Sequence, residues 1–72
     1  MRMCVIKNRD NTVSCIPVTC SKEYYDEKFE VLCFVNKTWN PYYVNSIKKY
    51  FEAKGFVKKD SFIDFNEILY NT

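Results

Sequence analysis

The chain reads as a small α+β domain in which an antiparallel sheet of three or more strands is covered by one amphipathic helix. Three stretches of its 72 residues carry that reading: a capped helix over 41–54, a nearly unbroken apolar run over 29–35, and an N-terminal hairpin around a polar turn. No repeat, low-complexity segment or linker divides the sequence, so 1–72 is read as one domain. A chain of this size buries only about 60% of its unfolded surface, and a deep enclosed active site is not expected in it. The core must be filled by large rings, because six Phe, six Tyr and one Trp stand beside a single Gly. A 47% apolar fraction marks a globular chain rather than a disordered one.

Residues 1–7 and 12–20 are β-prone runs flanking Asn8-Arg9-Asp10-Asn11, a turn-forming stretch. A symmetric turn over those four residues sets Cys4 opposite Cys15, Ile6 opposite Val13 and Arg2 opposite Pro17. Pro17 has no backbone donor, which places it at a sheet edge or bulge. An open edge there offers a surface for a homodimer. Residues 20–28, CSKEYYDEK, read as a loop of helical character with Ser21 as a cap. Next, FEVLCFV over 29–35 is interrupted only by Glu30 and reads as a central strand buried on both faces.

Asn40 is a good N-cap, Pro41 suits the first helical position, and Gly55 stands where a left-handed C-cap residue belongs. At about 100° per residue, Tyr43, Val44, Ile47, Tyr50, Phe51 and Lys54 share one arc of the helix and form its buried stripe. Trp39 precedes the cap and is placed to staple onto Val44. After Gly55, residues 56–60 form a short strand or lead into a turn. Asp64 and Glu67 have capping-box spacing, so a short C-terminal helix is expected, with a strand over 62–66 as the competing reading.

Histidine is absent, which removes the commonest general base, the usual metal ligand and every Ser-His or Cys-His nucleophile pair. The carboxylate pairs that remain, Asp60 with Asp64 and Glu23 with Asp26 and Glu27, fall in solvated turns. Cys4, Cys15, Cys20 and Cys33 contain no C-x-x-C pair and read as small apolar residues. No enzyme activity, metal or cofactor is therefore expected. No apolar run is long enough to span a membrane and MRMCVIKNRD lacks a secretory apolar core, so a cytoplasmic location is expected.

Two binding chemistries remain. Exposed rings at Tyr24, Tyr25, Trp39 and Tyr42 would anchor a protein partner. Lysines 37, 48, 49, 58 and 59, interleaved with aromatics, would contact DNA or RNA, although a net charge of +2 does not by itself announce nucleic acid. Heavy use of Lys, Asn, Ile, Tyr and Phe, all with A/T-rich codons, fits a bacteriophage of a low-GC host. The leading expectation is thus a phage-encoded protein-binding module that inhibits or redirects a larger host replication, transcription or defence protein by steric occlusion. A small basic-aromatic nucleic-acid-binding protein is the alternative. The stretch 44–51, VNSIKKYF, resembles the sliding-clamp-binding box of replication proteins, with Ile47, Tyr50 and Phe51 at the aliphatic and aromatic positions and Val44 where that box begins with Gln. The resemblance implies a sliding clamp as one such target.

Overall fold

A computed structural model of the chain describes residues 2–59 and 62–70. Its elements run β1 (Met3–Lys7), β2 (Val13–Pro17), α1 (Lys22–Lys28), β3 (Glu30–Val35), α2 (Pro41–Lys54), β4 (Phe62–Ile63) and α3 (Phe65–Tyr70). The α+β class holds, but the sheet is mixed rather than antiparallel. Its strand order is β2-β1-β3-β4, with β1 antiparallel to both neighbours and β4 parallel to β3. The parallel pair follows from α2: fourteen helical residues return the chain along the sheet, so the next strand starts from the same end as β3.

Helix α2 forms as its signals require. The Asn40 side chain accepts the Tyr42 N–H at 2.8 Å, Pro41 opens the first turn, and Gly55 closes the last one at φ 78°. The Phe51 carbonyl then accepts the Phe56 N–H at 3.0 Å, the wide bond of a Schellman-type stop. Ile47, Tyr50 and Phe51 are buried, and Tyr43 and Val44 are half-buried along the same stripe. Lys54, at the stripe's margin, is exposed.

The hairpin departs from the symmetric expectation by one residue. Asn8 N–H donates to the Thr12 carbonyl at 2.8 Å, and Asn11 takes a left-handed φ of 64°, so the true loop is the three residues 9–11. Cys15 therefore faces Val5, Cys4 faces Ile16, and Met3 faces Pro17. An odd loop moves every partner by one, and Cys4 and Cys15 end on opposite faces of the sheet. Asn8 fixes this register through its side-chain amide, which donates to the hydroxyls of Thr12 at 2.9 Å and Ser14 at 2.8 Å.

Both faces of the sheet are covered. Met3, Val5, Val13, Cys15, Cys33 and Val35 pack with α2 and α3, whereas Cys4, Ile6, Val31 and Phe34 pack with Tyr25 of α1. Residues 22–28 are accordingly a helix and not a loop, and Ser21 holds the N-cap position without a side-chain cap bond. Phe29 belongs to this helix's exit, its N–H donating to the Tyr25 carbonyl at 2.9 Å, so β3 starts one residue later than expected. Within β3 the register slips between Cys33 and Val31, leaving Leu32 as a bulge that faces α2. The bulge carbonyl accepts the Lys59 N–H at 2.6 Å, which pins the segment after α2 to β3.

The expected C-terminal helix forms, and of the competing strand over 62–66 only the first two residues pair. Phe62–Ile63 pairs with β3 as a two-residue strand, and α3 follows with Asp64 accepting the Asn66 N–H at 3.0 Å. Residues 56–59 form no strand, and Asp60 lies outside the described residues.

Truncating a ring at the centre of the α2 face tests this packing. Phe51→Ala should cost about 3–5 kcal/mol, measured as a lower denaturant midpoint at unchanged slope. In the hairpin, Asn11→Gly should preserve stability while Asn11→Val lowers it by about 1–2 kcal/mol; equal midpoints for the two variants would mean that the left-handed residue does not set the register.

Candidate contact surfaces

The four rings expected to form one surface are divided by the sheet. Tyr25 is only 4% exposed and is a core residue rather than an anchor. Its hydroxyl accepts the Thr19 N–H at 2.8 Å and donates to the Pro17 carbonyl at 3.4 Å, tying α1 to the end of β2. Tyr24 is exposed on α1, edge-on to Tyr25 at 5.2 Å, with Lys28 Nζ 5.3 Å from its ring centroid. Trp39 and Tyr42 lie at the head of α2, on the far side of the sheet.

Trp39 is 45% exposed, and its indole N–H donates to the Cys15 carbonyl at 3.2 Å. This hydrogen bond ties the ring to β2. Its physical origin is the edge of the sheet. The pairs Asn8–Thr12 and Arg2–Val18 are bonded across the hairpin, so alternation turns the backbone groups of Val13, Cys15 and Pro17 outward. Pro17 has no donor to leave open there, its carbonyl takes the Tyr25 hydroxyl, and the Cys15 carbonyl takes Trp39. Two outward groups of that edge, the Cys15 and Pro17 carbonyls, are thus engaged by side chains.

Tyr42 is 62% exposed and touches Tyr43 and Phe65 with ring centroids 5.6 and 6.5 Å apart. Lys37 stands near it, with Nζ 5.3 Å from the Tyr43 centroid. Lys48 is half-buried near Cys15, whose thiol feels its charge, and Lys49 is exposed on the Tyr42 side of α2. Lys58 and Lys59 belong elsewhere: they line a groove of about 150 Å³ with Lys22, Asp26 and Phe29 of the α1 layer. The expected basic patch is therefore two patches. The clamp-box residues Ile47, Tyr50 and Phe51 are all buried against the sheet, so that segment cannot present them to a clamp.

A concave surface that the sequence did not single out lies where the hairpin, α1 and β3 meet. Lys7, Arg9, Lys28, Phe29 and Glu30 line a groove of about 460 Å³, which adjoins the smaller one across Phe29 and Glu30. Lys7 pairs with Glu30 at 3.6 Å, and Lys22 with Asp26 at 3.5 Å. Nothing local in the sequence marks this site, because Phe29 reads as the start of a buried strand and the cations come from three separate segments, the hairpin, α1 and the stretch after α2.

The thiols have no part in either surface. All four cysteines are free, and only Cys20 is exposed. Burial pushes the Cys4 and Cys33 thiols up from 9.0 to about 12, and that of Cys15 to about 11 against a small opposing pull from Lys48. Asp26 and Cys15 add to the rise at Cys4. Desolvation disfavours the thiolate, and an un-ionised buried thiol is a poor nucleophile.

Among the described residues no helix is long and apolar enough to cross a membrane. No family model, curated protein or solved structure matches the chain.

A disulfide-exchange reagent should titrate Cys20 at once in the native protein and Cys4, Cys15 and Cys33 only on unfolding; rapid reaction of more than one thiol would contradict the packing. The raised values also give a sign for alkaline stability. The folded state holds these protons more tightly than the unfolded chain, so their contribution is complete below about pH 9 and is lost as pH climbs towards 12. A thermal midpoint that rises over that interval would contradict it.

Proposed function

We propose that this chain is a non-catalytic binding protein that covers a surface of a larger protein, with Trp39 and Tyr42 as its anchors. The observation that supports this reading is how the two rings are presented. Trp39 is tied to the rigid edge strand through Cys15, and Tyr42 stands in the first turn of a helix capped by Asn40. Large rings that are exposed yet fixed before contact supply area at little entropic cost, which is the character of interface hot spots. Lys37, Lys48 and Lys49 form a cationic margin around them.

In this reading the chain inhibits or redirects its partner by steric occlusion, which needs position and no reacting group. The partner class we propose is a replication, transcription or defence protein of a low-GC host, met in its cytoplasm by a phage product. The A/T-codon bias of the composition supports that origin. Tyr25 leaves the contact set because it holds α1 in place, and Tyr24 faces the opposite side.

Affinity capture with tagged protein from nuclease-treated host lysate tests the proposal. One stoichiometric partner is expected to survive nuclease. Trp39→Ala should weaken its binding by about 30-fold, the loss of about 2 kcal/mol that defines a hot spot, with Tyr42→Ala acting in the same direction. Equal capture by wild type and the double variant, or loss of every partner on nuclease treatment, would sink this reading.

A further inference from the structure

We infer that the grooved end of the sheet around Phe29 is a second contact surface, one that binds single-stranded nucleic acid. It goes beyond the protein-binding proposal and shares no residue with the Trp39 and Tyr42 anchors, so each stands or falls alone.

The first observation is charge. Lys7, Arg9 and Lys28 line the larger groove, and Lys22, Lys58 and Lys59 the smaller, with Glu30 and Asp26 the carboxylates among the described lining residues. Among the described lining residues six cations and two carboxylates sum to a formal +4, twice the +2 of the whole chain, with the Lys59 ammonium also 5.8 Å from the Tyr50 ring. Both carboxylates are already engaged by Lys7 and Lys22. Arg9, Lys28, Lys58 and Lys59 have no carboxylate within 4.0 Å among the described residues. Asp10, beside Arg9, is turned into the hairpin, where its carboxylate accepts the Thr12 N–H at 3.2 Å and hydroxyl at 2.6 Å.

The second observation is the ring between the grooves. Phe29 is 39% exposed and is backed by Tyr25, with centroids 6.3 Å apart and planes 23° from parallel. Tyr25 is itself fixed by Thr19 and Pro17, so Phe29 is a supported platform with one side wet. Tyr24 offers a second exposed ring beside Lys28.

A flat ring with cations in concavities on both sides matches a base stacked between two flanking phosphates. Duplex DNA hides its base faces, and an acidic peptide without aromatic residues has no ring to stack on Phe29. A single strand uses both features of the site.

Fluorescence anisotropy with the full chain and labelled single-stranded DNA about 12 nucleotides long, within the usual site sizes, tests this. Four phosphate contacts give a salt slope of about −2.8, so affinity should fall about 50-fold between 50 and 200 mM salt. Arg9→Glu with Lys28→Glu should weaken binding more than about tenfold and flatten that slope. Phe29→Ala should weaken it by between about 5- and 150-fold, the range for one lost stack, with the slope unchanged. Phe29→Leu, which keeps apolar bulk but removes the flat face, should behave like Phe29→Ala and guards against a folding artefact. Trp39→Ala with Tyr42→Ala should change nothing here. The inference is overturned by absence of salt-dependent binding. It is equally overturned if a duplex of the same sequence or a polyglutamate peptide binds as tightly, or if both Phe29 variants bind like wild type.

Discussion

The structure depends on burying β1 and β3 on both faces at once. Met3, Cys4 and Val5 in β1, and Leu32, Cys33, Phe34 and Val35 in β3, are each at most 2% exposed, which is possible only because helices cover the sheet on two sides. The rings come mostly from outside the central strands: Tyr50 and Phe51 from α2, Phe65 from α3 and Tyr25 from α1. Between them the strands must supply small apolar side chains. In a chain with one glycine and one alanine, neither in a strand, cysteine fills that role at Cys4, Cys15 and Cys33. Their depth in the sheet is the largest cause of their raised thiol values.

Sealing the edges draws on the same aromatic residues that a linear reading assigns to partners. Two outward carbonyls of β2, those of Cys15 and Pro17, are taken by the Trp39 indole and the Tyr25 hydroxyl, while Pro17 removes a donor. On the other side, β4 is only two residues long and Lys59 closes the bulge at Leu32. Short, capped and interrupted edges limit uncontrolled strand pairing. Trp39 therefore has two roles in our account, one end of its indole held by the fold and the remainder exposed for contact.

The two proposed surfaces also differ in how the fold makes them. The Trp39 and Tyr42 surface is local, set by a helix cap and one hydrogen bond. The Phe29 surface is assembled from the hairpin, the exit of α1, the start of β3 and the segment after α2, and it exists only when all four are docked. A variant that loosens α1 should disturb the second without reaching the first, because α1 and the head of α2 are on opposite sides of the sheet.

Features encoded within a few residues were legible from the chain itself. Asn40, Pro41 and Gly55 bounded α2, its stripe gave the buried positions Ile47, Tyr50 and Phe51, and the apolar run after Glu30 marked a strand covered on both faces. The exposure of Tyr42, which falls off that stripe, followed from the same helical geometry. What tertiary structure decided was everything that depends on which segments meet. The hairpin register turned on whether Asn11 or a symmetric turn closed the loop, a difference of one residue that sent Cys4 and Cys15 to opposite faces. Helix α1 is too short and charged to announce itself, and it is held by burial of Tyr25 in a partner surface made by β1 and β3. The parallel β4 followed from the direction in which α2 carries the chain. The charged grooves beside Phe29 arose from contacts between distant segments, because electrostatic proximity is a property of three-dimensional distance and spacing along the chain does not encode it.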